Sequence, residues 1–165
     1  MNFNKTKKMV IAALFSAIIF TATFFIQFKL PHGYINLGDA AVLLCGRFLG
    51  PLYGGIAAAM GSLLADILSG YVLYAPITFI TKGIMAVCSY YIFSSIKNRS
   101  HFIATFFSGL IAEIIMISFY FIFEVFVIGF AAAFLNIYAN AIQAAFGLIL
   151  YIIIVNFLPK KLFKL

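Results

Sequence analysis

Five ionisable side chains fall inside otherwise apolar stretches of this sequence: Asp39, Asp66, Glu113, Glu124 and Lys82. Holding such a group within a bilayer costs about 2.5–3.5 kcal/mol on insertion scales, so each needs a partner or a wet cavity. Helical spacing aligns several of them with other polar residues. Glu113, Tyr120 and Glu124 fall at i, i+7 and i+11 on one helix face, and Asn136, Asn140 and Gln143 at i, i+4 and i+7 on another. Buried amides want hydrogen-bond partners, which a polar small molecule can supply. Nine tyrosines, in a chain with 18% aromatic residues, offer flat surfaces for stacking on a heterocycle. The chemistry indicated is recognition of a small polar ring.

Bond-making chemistry has no comparable signal. There is no Walker motif, so the chain does not hydrolyse ATP by itself. HExxH, GxSxG and CxxC are absent, the two histidines lie far apart, and no nucleophile–base pair stands out. No enzymatic activity, cofactor or metal is expected. Cys45 and Cys88 each lie in an apolar run and imply neither a disulfide framework nor a metal site.

The elements that must position these residues follow from composition. Of 165 residues 65% are hydrophobic and 9% charged, with a mean hydropathy of +1.16. A soluble domain carries about 25% charge, so this chain lacks the polar surface to cover itself and reads as an integral membrane protein. The net charge of +7 does not point to nucleic acid, because the basic residues are scattered beside apolar spans. Spans of about 20 residues are expected near Lys8–Phe28, Ala75–Ile96, Ser100–Phe126 and Ala131–Leu158. Two short segments rich in small residues, Leu37–Leu49 and Pro51–Ser69, lie between them, split at Gly50-Pro51. The first, roughly 20 Å long, is too short to cross alone and must be distorted or buried. Lys29–Asn36 reads as a loop on the strength of Pro31 and Gly33. The lysines ahead of the first span resemble those of a signal peptide, but the apolar run is too long and lacks a cleavage site. The expectation is an all-α integral membrane protein, a single domain over residues 1–165 with six transmembrane helices.

Loop charges orient it. With six spans, Lys5, Lys7, Lys8, Arg47, Lys97, Arg99, Lys160, Lys161 and Lys164 share one face and only Lys29 falls on the other. Basic residues favour the cytoplasmic side, so both termini are expected there. Asp39, Asp66 and Glu124 then lie at outer helix ends, Glu113 near mid-membrane and Lys82 about two turns in. The expected pocket opens outward between the fourth, fifth and sixth spans, under a His32-Gly33-Tyr34 lid. Plainer roles stay open: Lys82 paired only to hold helices, Asp39 in a favourable first turn beside Asn36 as N-cap, the amides as interhelical glue, His32 as a solvated residue. Ala13/Ala17 and Ala12/Ser16 form small-xxx-small pairs that admit a second helix, from a partner subunit or from this chain. Gly54, Gly55, Ala57, Ala58, Ala59, Gly61 and Ser62 mark their segment as centrally packed.

The runs NLGD at Asn36–Asp39, LGPLYG at Leu49–Gly54, LAD at Leu64–Asp66 and YAP…KG at Tyr74–Gly83 carry a family likeness. The stretch from Tyr34 to Gly83 resembles the S components of energy-coupling factor (ECF) transporters, in particular the group that includes hydroxymethylpyrimidine/pyridoxine and riboflavin binders. The resemblance implies the substrate-binding subunit of a vitamin importer in a bacterial plasma membrane. It would capture a water-soluble vitamin from outside and dock, through an AxxxA motif at Ala13 and Ala17, on a coupling transmembrane subunit carried by two ATPases. It also implies a pocket built from the first loop and the fourth to sixth helices. The candidates there are His32, Tyr34, Asp39, Tyr74, Lys82, Glu113, Tyr120, Glu124, Asn136, Asn140 and Gln143. Thiamin is disfavoured, since thiamin-binding members typically stack their ligand on a tryptophan and this chain has none. One basic pocket residue and two glutamates favour a neutral or weakly basic ring: pyridoxine or hydroxymethylpyrimidine first, riboflavin second. A self-sufficient carrier fits less well, because the inner halves of the last two spans (FIATFFSGLI, GLILYIIIV) are almost wholly apolar.

Overall fold

The computed structural model describes residues 5–30, 33–96 and 100–157. Its elements in chain order are α1 (Lys5–Phe25), β1 (Gln27–Leu30), β2 (Gly33–Asn36), α2 (Gly38–Leu68), α3 (Ala75–Ile96), α4 (His101–Ile128) and α5 (Phe130–Phe157). All five helices are long and apolar enough to cross a membrane. Six were expected, and the difference lies in α2.

α2 runs for 31 residues but is not one rod. Gly50 has φ 78° and ψ −178°, a conformation that glycine alone adopts without strain, and Pro51 follows, its φ suited to a first helical turn and its missing N–H not needed there. The chain doubles back at this point. The Cys45 thiol lies 3.5 Å from the Gly54 carbonyl oxygen, whereas nine residues of straight helix would separate them by ~13.5 Å. Gly54 packs directly on Gly46, and Gly46 on the Ala86 carbonyl of α3, so the three segments meet where side chains are absent. The two expected helices are thus the two arms of a helical hairpin. The first arm is buried throughout from Gly38 to Arg47, and the expected small residues of the second arm are all buried too.

α1 ends at Phe25 rather than Phe28, where Gln27 Nε2 caps the Phe24 carbonyl at 2.8 Å. The expected loop is a two-stranded antiparallel hairpin with Gln27 opposite Asn36, Phe28 opposite Ile35 and Lys29 opposite Tyr34. Residues directly opposite share a face, so Gln27, Asn36, Lys29 and Tyr34 lie on one side and Phe28 and Ile35 on the other. The polar side turns toward the helices: Gln27 reaches Ser69, Asn36 reaches Gln143 and Tyr34 reaches Asp66. Phe28 on the apolar side is exposed. This reverses the usual arrangement of a hairpin on a soluble core.

At its far end α2 closes with a Schellman turn. Tyr71 N–H donates to the Asp66 carbonyl at 2.8 Å and Gly70 N–H to that of Ile67 at 3.2 Å, with Gly70 at φ 87°. That turn carries Tyr71 and Tyr74 back over the bundle end. Leu43, Met85, Met116 and Tyr151, fully buried, fill the centre. Arg47, expected as a loop charge, is instead buried within α2. It donates to Thr105 Oγ1 at 2.9 Å, hydrogen-bonds His101 Nε2 at 2.8 Å and stacks 3.6 Å over the Phe93 ring. Lys97, Arg99, Lys160, Lys161 and Lys164 lie outside the described residues.

Candidate functional site

Folding α2 in half brings its two ends together under the hairpin. Asp39 and Asp66 would stand ~40 Å apart on a straight helix. Here Asp66 accepts from the Tyr34 hydroxyl, while Asp39 connects through Gln143 to Asn36, two residues further along the same strand. Gln143 Oε1 accepts from both Asn36 N–H, at 3.0 Å, and Asn36 Nδ2, at 3.2 Å; its own Nε2 donates to Asp39 Oδ2 at 2.7 Å. Lys82 from α3 donates to the other Asp39 oxygen. Four elements are therefore fastened through one buried glutamine and one buried carboxylate.

Above this network lies a cleft lined by Thr23, Tyr34, Asn36, Ser62, Asp66, Tyr71, Tyr74, Thr78, Lys82, Tyr120, Glu124, Asn136, Asn140 and Gln143. It measures about 570 Å³ counting its mouth and the gaps between side chains, of which about 50 Å³ is wide enough to take the centre of a water molecule. The open part of the cleft is therefore narrow, far smaller than the roughly 300–1,000 Å³ of a formed small-molecule pocket, and its side chains are packed against one another. Tyr34, Tyr71, Tyr74 and Phe123 form a run of ring contacts, with successive centroids 4.9, 6.4 and 5.3 Å apart. Thr78 and Tyr120 share a 3.0 Å hydrogen bond, and Asn136 Nδ2 donates to Glu124 Oε1 at 3.2 Å. Below, Leu43 and Met85, one turn after Asp39 and Lys82, and Met116, one turn before Tyr120, are fully buried and form an apolar floor.

Two tyrosines of the mouth lie outside the helices. Burial, reinforced by the neighbouring Asp66 carboxylate, raises the Tyr34 phenol well above its ordinary range. Burial beside Glu124 pushes Tyr74 up to about 12. Both are therefore hydrogen-bond donors throughout the neutral range.

Of the eleven expected residues, Tyr34, Tyr74, Lys82, Tyr120, Glu124, Asn136, Asn140 and Gln143 line the cleft. His32 lies outside the described residues. Asp39 is fully buried behind the lining, in the first turn and bonded to Lys82 and Gln143; the N-cap of α2 is Leu37 rather than the expected Asn36, whose Oδ1 accepts from Gly38 N–H at 2.8 Å. Glu113 does not reach the cleft. It is buried one level deeper, against Gly147. Thr23, Asn36, Ser62, Tyr71 and Thr78 also line the cleft without being expected there, as does Asp66, expected only as an ionisable group at a helix end; Ser62 and Asp66, at i and i+4 in the second arm of α2, were legible as one face. On α1, Ala13 and Ala17 are exposed, whereas Ser16 and Ile19 pack against Gly61.

Over residues 3–160 the sequence matches the family described as ECF-type riboflavin transporter, S component. The chain belongs to this family. It is a family of transporter components and not of enzymes. The S-component fold is seen directly in a solved structure of the S component of a bacterial ECF transporter. That structure superposes with a TM-score of 0.69 at 24% identity, over 93% of this chain and 98% of the other. An uncharacterized protein of Pyrococcus woesei is 40% identical over 63 residues, 37% of this chain and 42% of that one. This S component thus spans less than half the length of that relative in the alignment.

Proposed function

We propose that this chain is the vitamin-binding subunit of an ECF importer in the bacterial plasma membrane and that its cargo is riboflavin. The supporting observation is the cleft, where a row of amides and a run of aromatic rings meet under a hydrogen-bonded hairpin above an apolar floor. A fused ring with alternating carbonyl and N–H groups can be met by Asn140 and by exchange of the hydrogen bonds that Asn136, Gln143 and Asn36 make with one another and with the two carboxylates, and a hydroxylated chain matches Ser62, Thr78 and Asp66. The family's own description, which names riboflavin, weighs the same way.

Pyridoxine or hydroxymethylpyrimidine is the second reading, favoured by Glu124 at the mouth. Its sequence argument drew on Glu113 as well, and that carboxylate sits outside the cleft. A self-sufficient carrier is disfavoured by the floor of Leu43, Met85 and Met116. In the proposed topology the two arms of α2 count separately, giving six membrane segments with both termini cytoplasmic and the hairpin outside. The exposed Ala13/Ala17 face of α1 is where the coupling transmembrane subunit, carried by two ATPases, docks.

Titration of the purified full-length protein in detergent, by quenching of flavin fluorescence and by calorimetry with pyridoxine and hydroxymethylpyrimidine, tests the cargo. One-to-one riboflavin binding in the submicromolar range is expected. Saturable binding of a pyridine or pyrimidine without riboflavin binding would replace it with the second reading.

A further inference from the structure

Four buried polar atoms on the cleft wall receive or give no hydrogen bond of normal geometry: Asp66 Oδ2, Glu124 Oε2, Ser62 Oγ and Asn140 Nδ2. Thr78 lies beside Asp66 and Tyr74 beside Glu124, but each of these cleft-lining carboxylates keeps one buried oxygen without a partner. Two of the four are acceptors only, the serine hydroxyl can act either way, and one is a donor. Asp66, Ser62 and Glu124 are each more than nine-tenths buried, so the lone pairs they present are sheltered from water and costly to leave unmet. The cleft is short of donors.

It is also short of positive charge. Among the described lining residues Lys82 is the one cation, and its ammonium is already held by Asp39. The amides of Asn36, Asn136 and Gln143 are committed to Gln143, Glu124 and Asp39 in turn. A ligand hydroxyl brings the donor that these acceptors lack. A phosphate monoester brings oxygen acceptors and a charge of about −1.5 to −2, with no cation to receive it and two carboxylates facing it.

We infer that Asp66 and Glu124, with Ser62, form a charge filter that selects the free alcohol form of the vitamin and rejects its phosphate ester. The inference rests on the vitamin-binding reading and deepens it, naming residues that set specificity. Asp66 and Ser62, one turn apart on the second arm of α2, receive the ligand's hydroxyl protons, and Glu124 guards the mouth.

The test compares alcohol and ester in two pairs, riboflavin with riboflavin 5′-phosphate and pyridoxine with pyridoxine 5′-phosphate. It uses the full-length protein, Asp66→Asn, Glu124→Gln and Ser62→Ala, with thermal melting in detergent to confirm that each variant is folded. The wild type is expected to take riboflavin at least ~30-fold more tightly than its ester, about the loss of one charge-assisted hydrogen bond. In Asp66→Asn and Glu124→Gln that ratio is expected to fall to ~5-fold or less, mainly by improved ester binding. Serine replacement should weaken alcohol binding without helping the ester. Ester and alcohol bound within threefold by the wild type, or a ratio unmoved in folded Asp66→Asn and Glu124→Gln, would overturn the filter while leaving the flavin reading in place. Discrimination in the pyridoxine pair alone would uphold the filter and overturn riboflavin as cargo. Binding in neither pair would overturn both.

Discussion

Lys82 donates to Asp39 beneath the cleft, both side chains sealed from solvent, so that the pocket's one described cation is spent on the scaffold. A buried ion pair adds little net stability over a well-packed apolar pair, but removing one partner strands the other charge. Lys82→Met is expected to destabilise the protein by about 3–5 kcal/mol, and Asp39→Asn/Lys82→Met to recover most of that loss. Denaturation midpoints in detergent for the two single variants and the double variant check this. Equal losses that simply add would show that the two side chains act independently.

Gln143 is the joint between the hairpin and the helices. Gln143→Leu leaves Asn36 and Asp39 each short of a buried partner, at a cost of about 1–3 kcal/mol. Ligand affinity should drop by roughly tenfold, with faster dissociation. Amide exchange at residues 33–36 should accelerate. A variant with normal exchange there would mean that the Tyr34–Asp66 and Gln27–Ser69 bonds suffice to hold the hairpin.

Alkali should loosen the mouth. A tyrosine whose folded pKa is raised contributes stability that is complete below the unfolded value of 10.0 and is lost as pH climbs toward the folded value. Melting temperature is expected to hold to about pH 10 and to fall above it, with Tyr74 contributing up to about 12 and Tyr34 beyond. In a Tyr34→Phe/Tyr74→Phe variant the alkaline slope should flatten, from a lower starting stability.

The exposed alanines of α1 make a different kind of prediction. Ala13→Leu/Ala17→Leu changes two exposed positions of α1, whereas Ser16 and Ile19 face α2. Riboflavin binding by the isolated variant should stay within about twofold, since the cleft is untouched. Uptake by cells that also carry the coupling subunit and ATPases should fall at least ~10-fold, because close helix approach needs small residues. Loss of binding and uptake together would place the defect in folding.

Gly50 is the remaining test of the fold. Gly50→Ala puts a side chain at a positive φ of 78° and should cost about 1–2 kcal/mol without altering ligand selectivity. Melting and titration of the same preparation check both halves of that statement.

Much of this arrangement was legible in the sequence for reasons that stay local. Apolar runs of membrane length fixed α1, α3, α4 and α5, and Gly50-Pro51 marked the reversal inside α2. Helical phase put Asn136, Asn140 and Gln143 on one face, and they do line the cleft together. Phase says nothing of depth, however. Glu113 shares its face with Tyr120 and Glu124 but lies below the floor. The hairpin escaped notice because two four-residue strands with their polar side inward, set about Pro31 and Gly33, carry the composition of a loop. Asp66 read as a helix-end acid, since its meeting with Tyr34 depends on how the α2 reversal and the hairpin are placed together.

The first arm of α2 also constrains the order in which the molecule can be assembled. Its Asp39 and Arg47 are satisfied by Lys82, His101, Thr105 and Gln143, all of them later in the chain. Until residue 143 has been made, this segment carries a carboxylate and a guanidinium with no finished surroundings, in a bilayer that tolerates neither. Its charges are completed stepwise, by Lys82 from α3, by His101 and Thr105 from α4 and by Gln143 from α5, so the final placement of this short arm is coupled to that of all three helices that follow it.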